Sequence, residues 1–330
     1  MAYTNANRQT MRLCQRARCA FSSQHDPLTM SLQSGQTMAW RAVTRVLRST
    51  LLDNLASVLF PVDCRVCGDP VCGFSRVPVC DSCWKNLPLQ SGSLCPCCGE
   101  SLGATEEALC RRCRLAAPAF EKAVAHGIYS GTMRSLLHLL KYDGLQPIAG
   151  KLGAHIATQL AALADLPPSM MVVPVPLFAA RQRRRGFNQA ELLARAAVRA
   201  MRSQRPDWEG RLAGRVLRRQ RATESQAGLS LFERRRNLRG AFFVSDPVAI
   251  KSKDVLLIDD IYTTGATARA CAQVLRKAGA ASVWVATAAR AQRHDLLYAP
   301  PQQQVKVETE VEMKRDVAFW NGSMALDARR

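Results

Sequence analysis

The sequence predicts an α/β fold, a parallel sheet with helices on both faces, preceded by a small cysteine-rich module. Three observations carry this. From Phe120 to about residue 290, short apolar runs alternate with helical periodicity, the pattern of strands joined by crossover helices. Four C-x2-C pairs crowd the chain between Cys64 and Cys113. One strongly apolar run, Val255–Ile258, leads straight into two acids and then a loop of threonines and glycine.

Length and composition set the frame. A chain of 330 residues suits two or three domains, and 48% apolar residues can bury an ordinary core. No run approaches the roughly 18 apolar residues that a helical membrane span needs, so none is expected. The formal charge is +20, which predicts an anionic partner: nucleic acid, a phosphorylated small molecule or a membrane surface.

The elements follow in order. Residues 1–38 are polar and weakly periodic, and are expected to be a disordered extension, or a stretch upstream of the natural start. They carry Arg8, Arg12, Arg16 and Arg18 but no apolar stretch of the secretory type; their Arg-rich, acid-poor composition has only a faint likeness to a transit peptide. Over 39–61, Trp40, Val43, Val46, Leu47, Leu51, Leu55, Val58 and Leu59 recur at three- and four-residue steps, which predicts an amphipathic helix ended by Pro61. Its arginines would suit a membrane surface, but packing on the cysteine module accounts for it more simply. Residues 62–118 form the cysteine module and 119–296 the α/β domain. There, strands are expected at Val124–Tyr129, Met170–Val175, Ala241–Val244, Val255–Ile258 and Ser282–Ala288. Helices are expected at Met133–Tyr142, Ile148–Leu163, Asn188–Met201 and Ala266–Ala278, the last closed by Gly279. Residues 204–240 read as arginine-rich loop with one short helical stretch. The tail, 297–330, is expected to be mostly disordered.

The cysteines point to metal. A C-x2-C turn aims two thiolates at one point, and two such turns complete a tetrahedral sulfur site for zinc. The candidate ligands are Cys64, Cys67, Cys80, Cys83, Cys95, Cys98, Cys110 and Cys113. They would hold one or two ions, sequentially or with Cys64 and Cys67 paired to Cys95 and Cys98. Gly68 and Gly99 follow two of the pairs, where the turn tolerates a positive φ. Four thiolates leave no open position for water, so the zinc would be structural. A disulfide framework would require secretion; the reading here is a cytoplasmic protein. Cys72 and Cys97 are left over as bystanders.

The loop after Val255–Ile258 carries Asp259, Asp260, Thr263, Thr264, Gly265 and Thr267. Open α/β sheets bind ligands at the carboxyl ends of their strands. Helix-start N–H groups and threonine hydroxyls can hold a phosphate, and Gly265 lets backbone approach it closely. The acids would repel that phosphate, but they suit a sugar diol or Mg²⁺. No lysine follows Gly265 as a Walker A loop would need. Phosphate, diol and metal together describe a phosphorylated ribose. Arg181, Arg183, Arg184 and Arg185 add four cations at a proline-fixed turn, suited to a pyrophosphate. Residues 215–239 add eight arginines against Glu224 and Glu233.

This stretch resembles the phosphoribosyl-pyrophosphate (PRPP) loop of type I phosphoribosyltransferases, with Tyr262 in place of the usual small aliphatic residue. Further elements resemble ComF-like proteins, the competence-associated and GntX-like group: Leu140-Lys141-Tyr142-Asp143-Gly144; Val173-Pro-Val-Pro176 followed by Arg185-Gly-Phe-Asn188-Gln189; Thr223 and Gln226; and Arg236-Asn237-Leu238 with Gly240-Ala241-Phe242. The resemblance covers about residues 40–290. It implies a type I phosphoribosyltransferase domain behind a double zinc ribbon. It implies that Asp259 and Asp260 bind the ribose hydroxyls, and that Thr263, Thr264, Gly265 and Thr267 bind the 5′-phosphate. Pro174 through Arg185 and Gly186 would be the pyrophosphate loop, and residues near Arg221–Arg234, with Gln226, a flap. Mg²⁺ would accompany PRPP. The implied functions are PRPP-dependent transfer to an unspecified acceptor or, without catalysis, handling of single-stranded DNA alongside competence proteins; a third is an adaptor docking through the zinc module. No residue set specifies the catalytic group or the acceptor.

Overall fold

The computed structural model describes residues 62–71, 77–102, 108–221, 238 and 240–292. The expected extension 1–38, the helix at 39–61, Cys72, Thr223, Gln226, Arg236, Asn237 and the tail 297–330 lie outside the described residues.

The cysteine module repeats one device twice. A short hairpin, β1 (Val62–Asp63) and β2 (Pro70–Val71), flanks the first C-x2-C pair. The second pair sits on α1 (Asp81–Lys85), whose N-cap is Cys80. In the second half Cys95 and Cys98 form the turn, and α2 (Arg111–Leu115), capped by Cys110, supplies the rest. Both turns close with the same bond, Gly68 N to Cys64 O at 2.9 Å and Gly99 N to Cys95 O at 2.7 Å. Both glycines have positive φ, +81° and +69°, as the turn geometry leads one to expect.

The α/β domain is a five-stranded, all-parallel sheet. Its strands are β3 (Lys122–Ile128), β4 (Ser169–Pro174), β5 (Glu209–Leu212), β8 (Asp254–Tyr262) and β9 (Ser282–Arg290), in the order β3-β9-β8-β4-β5. A separate antiparallel hairpin joins β6 (Leu217–Arg219) to β7 (Phe242–Val244). On one face lie α3 (Gly131–Lys141), α4 (Ile148–Ala161) and α6 (Gln189–Gln204). Leu136, Leu140, Leu152, Ile156, Leu193 and Met201 pack there against Val172, Leu256, Ile258 and Ala286. On the other face α8 (Ala266–Lys277) buries Cys271, Ala272 and Leu275 against Val255, Leu257, Val283 and Val285. The cysteine module clasps the β3 edge. Cys64, Cys83 and Trp84 belong to the core of the first face, and Cys95, Cys98, Cys110 and Cys113 to that of the second. Among the described residues no helix is long and apolar enough to cross a membrane.

Three local expectations are corrected. The strand expected to stop at Ile258 runs on to Tyr262, because Asp259 and Ile261 stay in register with Thr287 and Ala289 of β9; the two acids are strand residues. The expected loop at 204–240 contains β5 and β6. Glu-Gly-Arg-Leu shows little apolar signal, and pairing with β4 imposes the strand, fixed at its ends by Glu209 N to Pro168 O (2.7 Å) and Ala213 N to Val172 O (2.8 Å). The proline-fixed turn at 181–185 is a helix, α5 (Ala179–Arg185), built from strong helix formers and closed by Gly186 at φ +81°. A short α7 (Pro247–Ile250), capped by Asp246, precedes β8.

Candidate functional site

A pocket of about 280 Å³ opens at the carboxyl end of β8. One wall is β8 itself, with Asp259 and Asp260, and the loop to α8, with Thr263, Gly265 and Thr267. A second stretch of the lining is the end of α3, Lys141 and Tyr142. The third is Val175–Leu177 after β4 with Arg181 and Arg185 of α5, Gln189 and Arg219. Asn188 pins this third wall. It caps α6 by accepting from Ala190 N at 3.1 Å, and its side-chain amide donates to Val175 O at 3.0 Å.

The acids divide their roles. Asp260 is buried, 5% exposed, and forms an ion pair with the half-buried Lys141. Burial works against its charge, but Lys141, helped by Arg185, outweighs burial and holds its carboxyl below the usual range. Asp259 lines the pocket and accepts from Asp260 N at 2.9 Å. Burial, and then the charge of Asp260, push its carboxyl well above the usual range. The pair therefore titrates as a unit, with Asp260 favouring its charged form and Asp259 disfavouring it.

The loop is shaped for an anion. Gly265 has φ +73°, and a Cβ there would run into the Tyr262 hydroxyl, so the ring of Tyr262 walls the turn. Thr264 faces inward, its hydroxyl accepting from Ala266 N at 3.3 Å, and does not line the pocket. Thr263 and Thr267 do, at the N-terminus of α8, where backbone N–H groups and the helix dipole favour negative charge.

Of the arginine cluster, Arg181 and Arg185 line the pocket; Arg183 and Arg184 point to solvent. Arg185 donates to Gln189 Oε1 at 2.6 Å and lies 5.7 Å from the centre of the Tyr142 ring. Pro174 is buried one residue before the lining, Gly186 ends α5 outside it, and Arg221 is exposed outside it. Gln226 lies outside the described residues. Sequence reasoning assigned no role to Lys141, Tyr142, Gln189, Arg219 or Thr287, all of which line the pocket. Lys141, Tyr142 and Gln189 do fall within the motifs that resemble ComF-like proteins, the one available signal for them.

The eight cysteines form two sequential sets, Cys64, Cys67, Cys80 and Cys83, and Cys95, Cys98, Cys110 and Cys113. Of the two arrangements that the spacing leaves open, the structure has the sequential one. A tetrahedron with Zn–S bonds of about 2.3 Å has sulfur–sulfur edges of about 3.8 Å. Cys64–Cys83 at 3.8 Å, Cys67–Cys80 at 3.5 Å and Cys98–Cys110 at 3.6 Å fit that figure.

Residues 55–114 match the model of a double zinc ribbon domain, and residues 153–329 that of a phosphoribosyl transferase domain. The DNA utilization protein YhgH of Salmonella typhi is 34% identical over 227 residues, which is 67% of this chain and 94% of that protein. The chain belongs to the ComF family. Competence protein F of Haemophilus influenzae is 30% identical, covering 64% of this chain and 90% of that protein. Competence protein ComFC of Bacillus subtilis is 28% identical, over 62% and 81%.

In this ComF-family chain the site unites two adjacent acids, the start of α8 and three arginines, Arg181, Arg185 and Arg219, around one pocket. Such a set can hold a ligand with negative charge at both ends and hydroxyls between.

Proposed function

We propose that the pocket binds PRPP with Mg²⁺, and that the chain transfers the phosphoribosyl group to an acceptor. One observation supports this above the rest: the acid pair, the start of α8 and Arg181 and Arg185 all line one pocket. The 5′-phosphate would sit on Thr263, Gly265 and Thr267. Asp259 and Asp260 would take the ribose hydroxyls, and Arg181, Arg185 and Arg219 the pyrophosphate. Asp259 is an oxygen donor open to the pocket, which fits Mg²⁺ bound by one carboxylate and substrate phosphates. That ion would neutralise charge on the departing pyrophosphate. The arginines would do the same from fixed positions, while the loop and the acid pair hold the sugar so that an acceptor meets its anomeric carbon in line. The eight thiolate ligands call for a reducing compartment, which is the ground for placing the protein in the cytoplasm.

Calorimetry tests the reading. PRPP with Mg²⁺ should bind, and ribose 5-phosphate and pyrophosphate should each bind more weakly; no heat with PRPP contradicts it. A screen of nucleobases and amines for pyrophosphate release then separates enzyme from binder.

A second reading rests on a groove beside the pocket. It shares Pro176, Leu177 and Arg219 with it and adds the exposed Arg195, Arg215 and Arg218. This surface suits a single-stranded DNA backbone, and the relatives named for competence and DNA utilization favour it. Oligonucleotide affinity should fall steeply between 50 and 200 mM salt, by about tenfold or more for three phosphate contacts. Salt-independent binding would exclude an electrostatic groove.

A further inference from the structure

The second cysteine site touches the anion-binding loop through three arginines. Arg112 lies between the ligands Cys110 and Cys113, and its guanidinium donates to the carbonyl of Thr264, the residue before Gly265. Arg269, on the first turn of α8, donates to Ala116 O at 2.7 Å and to Cys113 Sγ at 3.6 Å. Arg290, the last residue of β9 and only 2% exposed, donates to the Cys98 carbonyl and to Cys98 Sγ at 3.6 Å. It also pairs with Glu100 at 3.5 Å and lies 4.4 Å over the ring of Tyr262. That ring, set edge-on to Phe120 at 6.4 Å, is the wall behind Gly265. The segment 262–269 is therefore tied to the module at three points, each on a metal ligand or within three residues of one.

We propose that Arg112, Arg269 and Arg290 are positioning residues through which the second cysteine site sets the anion-binding loop, so that metal at that site and ligand in the pocket stabilise each other. Four thiolates around one zinc carry a formal charge of about −2. The N–H groups of Arg269 and Arg290 offset it, the outer contacts that orient metal ligands. Without the ion nothing gathers four thiolates at one point. Arg290 then loses part of the anionic surroundings that make its burial tolerable, and the wall at Tyr262 loses its support. Arg112 transmits the same change directly, because its backbone belongs to the helical turn that carries two ligands. The coupling is specific to one site. The first site packs on the opposite face of the sheet, where Trp84 stacks on His155 of α4 at 6.3 Å. Coupling between two sites is reciprocal, so a ligand held by the loop retards loss of the second-site metal. Only this ligand arm rests on the PRPP reading.

The test uses the full chain loaded with zinc at both sites. Arg112→Met should keep both ions by metal analysis, yet speed amide hydrogen exchange over residues 263–267 by about tenfold, the effect of one lost charge-assisted hydrogen bond on local opening. Peptides covering 64–85 should be unchanged, and Arg112→Lys should lie between. Unchanged loop exchange in a zinc-loaded Arg112→Met chain overturns the proposal. If that variant does not retain zinc, partial chelation of the wild-type chain decides: loop exchange should rise with loss of second-site zinc alone, and a rise with loss of either ion, or with neither, overturns it. Under chelator, PRPP with Mg²⁺ should slow alkylation of Cys110 but not of Cys80; equal effects on both, in a chain that binds PRPP, overturn the reciprocal coupling. Failure of the wild type to bind PRPP refutes the PRPP reading, while loop exchange still decides the coupling.

Discussion

Lys141→Met destabilises the folded chain by about 3–5 kcal/mol at neutral pH, the cost of stranding a buried charge whose partner has been removed. Asp260 is 5% exposed and the half-buried Lys141 is its counter-ion. In the wild type the folded-state pKa of Asp260 is depressed. Its pairing therefore contributes stability above the unfolded carboxylate range, near pH 4, and loses it as pH falls through the depressed value. Lys141 is shifted the other way. Burial opposes its charge, but Asp260 outweighs burial and raises its pKa, so its contribution persists until pH rises past its ordinary range. In the variant the sign for Asp260 reverses. A buried carboxyl that has lost its nearest cation has a raised pKa, so the penalty shrinks as pH falls from 7 toward 4. Adding Asp260→Asn to Lys141→Met should restore most of the loss. Urea unfolding at pH 7 and pH 5 measures this. A penalty below about 1 kcal/mol at pH 7, the range of exposed pairs, would show the pair to be solvated.

Breaking the second cysteine site has the largest effect. Metal binding can supply on the order of 10 kcal/mol to a segment too small to hold its own core, and here the ligand sulfurs are themselves part of the core beside Phe120 and Ala123. Cys98→Ser should lose one zinc per chain and lower the unfolding midpoint by at least about 10 °C, since each kcal/mol is worth roughly 2–4 °C at this size. Cys97→Ser is the control. Cys97 is half-buried and belongs to neither ligand set, so zinc content and midpoint should not change. Full zinc retention in Cys98→Ser would mean that Cys97 can substitute as ligand.

Much of this was legible because local signals agreed with the tertiary outcome. The buried run Val255–Ile258, the apolar spacing of α3, α4 and α6, and Gly279 after α8 each obeyed one dominant rule of pattern or capping. The four C-x2-C pairs showed metal, but not their partition, which depends on where chain between the pairs turns back. The signal failed where neighbours decided. β5 is a strand because β4 lies beside it, and β8 runs through two charges because β9 continues past them. A turn at 181–185 would aim Arg183 and Arg184 at a ligand; the helix α5 sends them outward. Lys141 is far in sequence from Asp260, and although each lies in a recognisable motif, neither motif shows that the two pair.

The central claim is that Asp259, Asp260 and the loop after them hold PRPP. Calorimetric titration of PRPP with Mg²⁺ into the wild type and the Asp259→Asn, Asp260→Asn variant tests it most directly, with circular dichroism confirming that the variant is folded. The account predicts that affinity falls at least about 100-fold, as expected when two carboxylates each contribute about 1.5 kcal/mol or more through charge-assisted hydrogen bonds. Equal affinity in the folded variant and the wild type would contradict it.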